Sequence, residues 1–296
     1  MKYIDIQVNG YAGIDFSSLE LTSEGIDLCV EKVVQAGTAG FLATVITSSD
    51  EIYNHVIPLL VDGCIRHEEM LGIHLEGPFI SNEKGYSGAH NPNYILSPSI
   101  EYFDKLFNLC KGHLKILTLA PELEGAIDLI KHAKLKNITV AAGHCNAAEK
   151  DIEHAISAGL DLATHLGNGC PKLMDRHDNC LWPLLSESKV TASIITDGFH
   201  LKPSVIKTML QAKGLDKIII VSDSAPCGGK PPGNYKFQGM PVTIHESGLL
   251  THDEFNCLAG SSSCIKDCVE YIKNICELSD EDIKKIAYEN PLKMIG

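Results

Sequence analysis

Ile138-Thr139-Val140-Ala141-Ala142-Gly143-His144-Cys145-Asn146 is a short apolar run that ends abruptly in polar residues. A helical pattern, Ala147 to Ala158, follows it. The run is continuously apolar, as suits a strand covered on both faces. The same unit recurs along the chain. Apolar runs rich in Val, Ile and Leu occur at Tyr3–Val8, Phe41–Ile46, Leu71–Leu75, Leu114–Leu119, Ile138–Ala142, Leu160–Thr164, Ala192–Thr196 and Lys217–Ser222. Helix-like stretches such as Ser23–Ala36 and Glu51–Arg66 separate them. Strand–helix alternation repeated eight times predicts an α/β fold, a (β/α)₈ TIM barrel, over an open doubly wound sheet. Polar residues gather at one end of every run, which also favours the barrel.

After the eighth run the pattern breaks. Gly228-Gly229-Lys230-Pro231-Pro232-Gly233 precedes Tyr235-Lys236-Phe237-Gln238-Gly239 and Pro241-Val242-Thr243-Ile244. This predicts a β-hairpin inserted after strand eight. Ser261-Ser262-Ser263 then leads into a helix, with a serine expected as its N-cap. A short helix is expected near Asp280–Tyr288. The chain of 296 residues reads as one barrel domain, 1–296.

Composition narrows the function classes. Hydrophobic residues make up 44% and charged residues 21%, enough for a large core and too apolar for disorder. No apolar run reaches the roughly 18 residues of a membrane span. The N-terminus reads as a strand rather than a signal peptide, so a cytoplasmic protein without membrane contact is expected. The 11 cysteines are scattered without a zinc-type pair and are expected to be reduced and mostly buried. Net charge is −13, with no basic stripe for a nucleic acid. A small phosphorylated ligand stays possible, since one arginine and a few backbone N–H groups can hold it.

In a barrel the C-terminal strand ends form the active-site face. They carry Gln7 and Asn9, His74 and Glu76, His144, His165 and Asn168, Asp197 and His200, and Asp223. Read singly, each has a bland role. A strand-end histidine is commonly a hydrogen-bonded structural residue, Glu76 an ion-pair partner, and Asp223 a turn cap. Asp197 and His74 are read as structural. Read together, Glu76, His144 and His165 are a carboxylate and two imidazoles from three strands. Three N/O ligands with one open position compose a catalytic zinc site. Such a metal acidifies water and polarises a carbonyl. Asp223 from a fourth strand would accept the water proton and deliver it to a leaving amine. The donor set suits zinc, and also iron or another divalent ion.

At this point the motifs resemble those of the N-acetylglucosamine-6-phosphate deacetylases of the amidohydrolase superfamily. The matching stretches include Ile4-Asp5-Ile6-Gln7-Val8-Asn9-Gly10, His74-Leu75-Glu76-Gly77-Pro78-Phe79, Gly88-Ala89-His90-Asn91-Pro92, Gly143-His144-Cys145-Asn146, Asp197-Gly198-Phe199-His200 and Ser222-Asp223-Ser224-Ala225-Pro226. The resemblance implies hydrolysis of the acetamide of a phosphorylated amino sugar. It implies Glu76, His144 and His165 as metal ligands, Asp223 as acid/base, and His90 as a group that binds substrate and polarises its carbonyl. It implies Asn168, Gly169 and His200 as further substrate contacts. Arg176 matches a phosphate-binding arginine supplied by a neighbouring subunit, hence a homodimer.

Three departures are visible. Gln7-Val8-Asn9 stands where many amidohydrolases carry His-x-His and bind two metals, so one metal is expected. The family's small β-sandwich has no counterpart in this sequence. Gly167 replaces a residue that is often aromatic, which loosens the reading of the sugar. The alternatives are therefore a deacetylase of the galacto epimer, another amide hydrolase, or a silent sugar-phosphate binder.

Overall fold

The computed structural model describes residues 2–237, 239–253 and 257–296; Gln238 and residues 254–256, within the expected insertion, lie outside them. Eight parallel strands, Tyr3–Val8, Thr38–Ile46, Met70–Glu76, Leu114–Leu119, Thr139–Ala142, Leu162–Ala163, Thr191–Ile195 and Ile218–Val221, stand side by side in chain order. Helices lie between most of them, among them Ser23–Gln35, Asp50–Arg66 and Glu149–Ala158. The ring closes where Val8 meets Ser224: Asn9 N–H donates to Ser224 O at 3.0 Å. Beside this seam the buried Asp5 carboxylate accepts Ser222 Oγ–H at 2.5 Å and Ser222 N–H at 3.3 Å. The molecule is a TIM barrel.

Strand alternation sorts the apolar residues into two layers. Phe41, Val45, Ile73, Leu117 and Ile194 face outward and pack with helix residues such as Ile26, Tyr53 and Leu60. Ile4, Ile6, Leu42, Ile116, Leu162 and Ile219 form a second cluster inside the ring. Ile295, in the terminal helix Asn290–Ile295, joins that inner cluster, and Thr139 Oγ–H donates to Met294 O at 2.7 Å. The N-terminal end of the barrel is thus plugged, leaving the opposite end for chemistry.

The insertion is larger than a hairpin. Gly233–Phe237 pairs antiparallel with Met240–Ile244, which continues to Leu250–His252 and Cys257–Leu258 as a four-stranded sheet. Phe237, Val242, Ile244 and Leu250 pack with Ile46 and Ala225 at the C-terminal end of the barrel. The expected serine cap is also corrected. Helix Ile265–Cys276 is capped by Cys264, whose backbone N–H donates to Asp267 Oδ2 at 3.0 Å. Ser261 is engaged elsewhere, donating to Asp197 Oδ2 at 2.9 Å, and Ser262 donates to Gly248 O.

Candidate active site

The C-terminal strand ends and the inserted sheet enclose a cavity of about 910 Å³. Glu76, His90, His144, His165 and Asp223 line it together. His144, His165 and Asp223 hold left-handed backbone angles, with φ of 50°, 31° and 50°. Such conformations cost energy in non-glycine residues and concentrate at functional sites. Here each one follows a barrel strand and turns its side chain over the mouth.

Glu76, the last residue of its strand, is level with Ile46 and Thr118 on the flanking strands. Its Oε1 lies 2.9 Å from His165 Nε2 and 3.2 Å from His144 Nε2, and the two Nε2 atoms are 3.0 Å apart. The two imidazoles hold the Glu76 carboxyl well below its usual range, against the upward push of burial. His144 Nδ1–H donates to Tyr86 O at 2.8 Å, which fixes the ring with its Nε2 turned into the cluster. The His165 Nδ1 atom is buried without a hydrogen-bond partner among the described residues.

These residues fit a divalent cation. Bonds of about 2.0–2.2 Å set neighbouring donors about 3 Å apart, the spacing of this trio. Glu76, His90 and His144 also offer one atom each within 4.8 Å of one another. His90 is a different kind of neighbour, however. The Thr47 backbone N–H donates to His90 Nδ1 at 3.3 Å, so the hydrogen of the neutral ring sits on Nε2. Burial drives the His90 pKa down to about 3, which keeps it neutral. Its Nε2 lies 3.9 Å from Glu76 Oε2 and in this tautomer carries the hydrogen.

Asp223 lies across the cavity floor. Asn9 Nδ2–H donates to its Oδ1 at 2.8 Å. Burial, with the Glu76 charge adding, raises its pKa to about 6. His200 reaches the cavity wall with Nδ1 held by Asp197 Oδ2 at 2.8 Å. Asp197 also accepts the backbone N–H groups of Phe199 and His200, which with His200 bring its pKa to about 2. His74 is spent structurally: its nitrogens meet Ile6 O at 3.0 Å and Thr118 Oγ at 2.8 Å.

Asn168 and Gly169 line the cavity, with the Asn168 amide tied back to His165 O at 3.3 Å. Gly169 has φ +61°, and a Cβ there would lie 2.9 Å from His144 Nδ1, so only glycine lets this loop pass so close to the His144 ring. Arg176 is exposed and does not line this cavity. Lys84 and Lys172 do line it. Sequence reasoning passed over both, since neither belongs to a motif. It also passed over Thr47 and Asn9 as partners of His90 and Asp223.

No family model matches the chain. The chain is 31% identical over 302 residues to N-acetylglucosamine-6-phosphate deacetylase of Bacillus subtilis, covering 99% of this chain and 74% of the relative. The chain belongs to the N-acetylglucosamine-6-phosphate deacetylase family. The Caenorhabditis elegans member is 32% identical, with 99% of this chain and 73% of the relative covered. The crystal structure of the Pasteurella multocida deacetylase superposes with a TM-score of 0.90 at 27% identity, covering 99% of this chain and 76% of that one. This family consists of metal-dependent amidohydrolases, in accord with the cation-shaped donor trio.

Proposed function

We propose that this protein hydrolyses the acetamide of N-acetylglucosamine-6-phosphate to glucosamine-6-phosphate and acetate, in amino-sugar breakdown. The observation that carries the reading is the meeting of Glu76, His144 and His165 at 2.9–3.2 Å, with Asp223 and His90 lining the same cavity. Glu76, His144 and His165 would hold a single divalent ion, zinc by preference, which when bound acidifies a water and polarises the amide carbonyl. Asp223 takes the proton of the attacking water and returns it to the amine as the C–N bond breaks. The His90 Nε2–H donates to the carbonyl oxygen as negative charge develops there. His200, Asn168 and Gly169 hold the sugar phosphate and so set the acetamide over the ligand trio.

The reading extends to the assembly. Arg176, exposed beside the exposed Leu173 and Trp182, would reach the phosphate of a second copy in a homodimer. Residues 1–296 form a single barrel domain in this reading, working in the cytoplasm without nucleic-acid or membrane partners. No helix among the described residues is long and apolar enough to cross a membrane.

The test is acetate release by zinc-loaded protein from N-acetylglucosamine-6-phosphate, its galacto epimer and the unphosphorylated sugar, beside Asp223→Asn. Phosphate-dependent turnover that collapses in the variant is expected. Folded, zinc-loaded protein that binds the sugar phosphate and releases nothing would instead mark a silent binder.

A further inference from the structure

The first barrel strand carries two buried amides, and each touches a different carboxylate of the site. Gln7 Nε2–H donates to Glu76 Oε1 at 3.0 Å, and Asn9 Nδ2–H donates to Asp223 Oδ1 at 2.8 Å. The strand is bulged to achieve this. Asp5 pairs with Phe41 and Val8 with Ala43, an advance of three residues against two. The extra residue breaks the alternation, so Ile6 stays in the inner apolar cluster while its neighbour Gln7 also reaches the barrel interior. Bulges re-aim side chains in this way beside active sites.

The Asn9 amide is not what closes the fold. The seam is held by the Asn9 backbone: its N–H donates to Ser224 O at 3.0 Å, and its carbonyl accepts Phe16 N–H at 3.1 Å. The Asn9 side chain is not even satisfied by its own surroundings, because Oδ1 is buried with no hydrogen-bond partner among the described residues. Turning the amide over would face that oxygen toward a carboxylate, which can only accept when ionised. Asp223 therefore dictates how Asn9 stands.

We propose that Gln7 and Asn9 are positioning residues with separate tasks. Gln7 orients the Glu76 carboxylate as a cation ligand. Asn9 occupies Oδ1 of Asp223, so that Oδ2 alone exchanges protons with the attacking water and the leaving amine. The Asn9 half rests on the deacetylase reading, whereas the Gln7 half does not. Where other amidohydrolases use this strand to bind a second metal, this chain uses it to hold two carboxylates in place.

The test compares Gln7→Met with Asn9→Leu, and with Asn9→Ala in case the leucine misfolds. Zinc affinity is read by competition with a chelating dye, and kcat and KM with N-acetylglucosamine-6-phosphate at saturating zinc. Gln7→Met is expected to weaken zinc binding about 10–100-fold, the usual cost of losing such a partner. The Asn9 variants are expected to keep zinc affinity and KM while kcat falls about 10–100-fold. Equal zinc affinity in Gln7→Met overturns the Gln7 task. An Asn9 variant that keeps kcat, or that loses zinc affinity and KM together with kcat, overturns the Asn9 task. Wild-type protein that binds zinc yet releases no acetate overturns the Asn9 half along with the deacetylase reading, and the zinc arm still decides Gln7.

Discussion

The Nε2 atoms of His144 and His165 face each other at 3.0 Å, and only His144 has its far nitrogen engaged, by Tyr86 O at 2.8 Å. Glu76 Oε1 and these two nitrogens lie within 3.2 Å of one another, the spacing of donors around one ion. A cation resolves the arrangement.

Metal removal should therefore cost stability as well as activity. A ligand that binds only the folded state at 100 times its Kd contributes about 2.7 kcal/mol. For a chain of this size that is a Tm loss of several degrees on chelation. Glu76→Gln and His165→Ala should show no such loss, having no ion to lose. Calorimetry with and without chelator checks this. An unchanged Tm in wild-type protein proven to carry zinc would count against the trio as the site.

The Thr47 N–H bond to His90 Nδ1 makes a prediction that separates donor from ligand. Glutamine at position 90 can present an amide N–H near the place of Nε2, and asparagine cannot reach it. His90→Gln should retain more kcat than His90→Asn, which is expected to lose about 10²–10³-fold, the cost of an oxyanion donor. Zinc content should be full in both. Loss of zinc in either variant would make His90 a ligand instead.

Lys84 and Lys172 border the cavity, and no salt bridge engages either one among the described residues. In a chain of net charge −13, over a floor holding Glu76 and Asp223, they are the fixed cations at the mouth. Lys84→Met and Lys172→Met should each raise KM for the phosphorylated sugar roughly tenfold, the worth of one charge-assisted contact. Turnover of the unphosphorylated sugar should not move. Equal effects on both sugars would assign these lysines to the fold of their loops.

The barrel was legible because its strands are buried on both faces, so each stands out as an uninterrupted apolar run. Leu114–Leu119 matches the observed strand end for end. Where pairing is short, the edge was not legible: Leu160–Thr164 shrinks to Leu162–Ala163. The inserted sheet was half read, since Leu250–His252 and Cys257–Leu258 are too short to carry a pattern. In the site, each ligand candidate sat at a strand end, where a linear reading can place it. His90 and its tautomer could not be read so, because Thr47 lies 43 residues away and acts through its backbone. The serine cap failed for a similar reason: Ser261 had a tertiary partner in Asp197, 64 residues off.

Asp5 gives the fold a pH dependence of known sign. It is buried at the seam between the first and eighth strands, and burial raises its pKa to about 7 from an unfolded value of 3.8. Between those values the folded protein binds the proton and the unfolded chain does not. Stability therefore falls as pH rises through that window. The full shift is worth roughly 4 kcal/mol at most, at 1.36 kcal/mol per unit. Asp5→Asn removes the titration while its Oδ1 can still accept a hydrogen bond from Ser222. Urea unfolding at about pH 5 and about pH 8 should then find wild type losing stability relative to the variant at the higher pH. A constant difference between the two proteins across that range would mean that Asp5 stays ionised in the seam, and that Ser222 and the backbone N–H of Gln7 offset its burial.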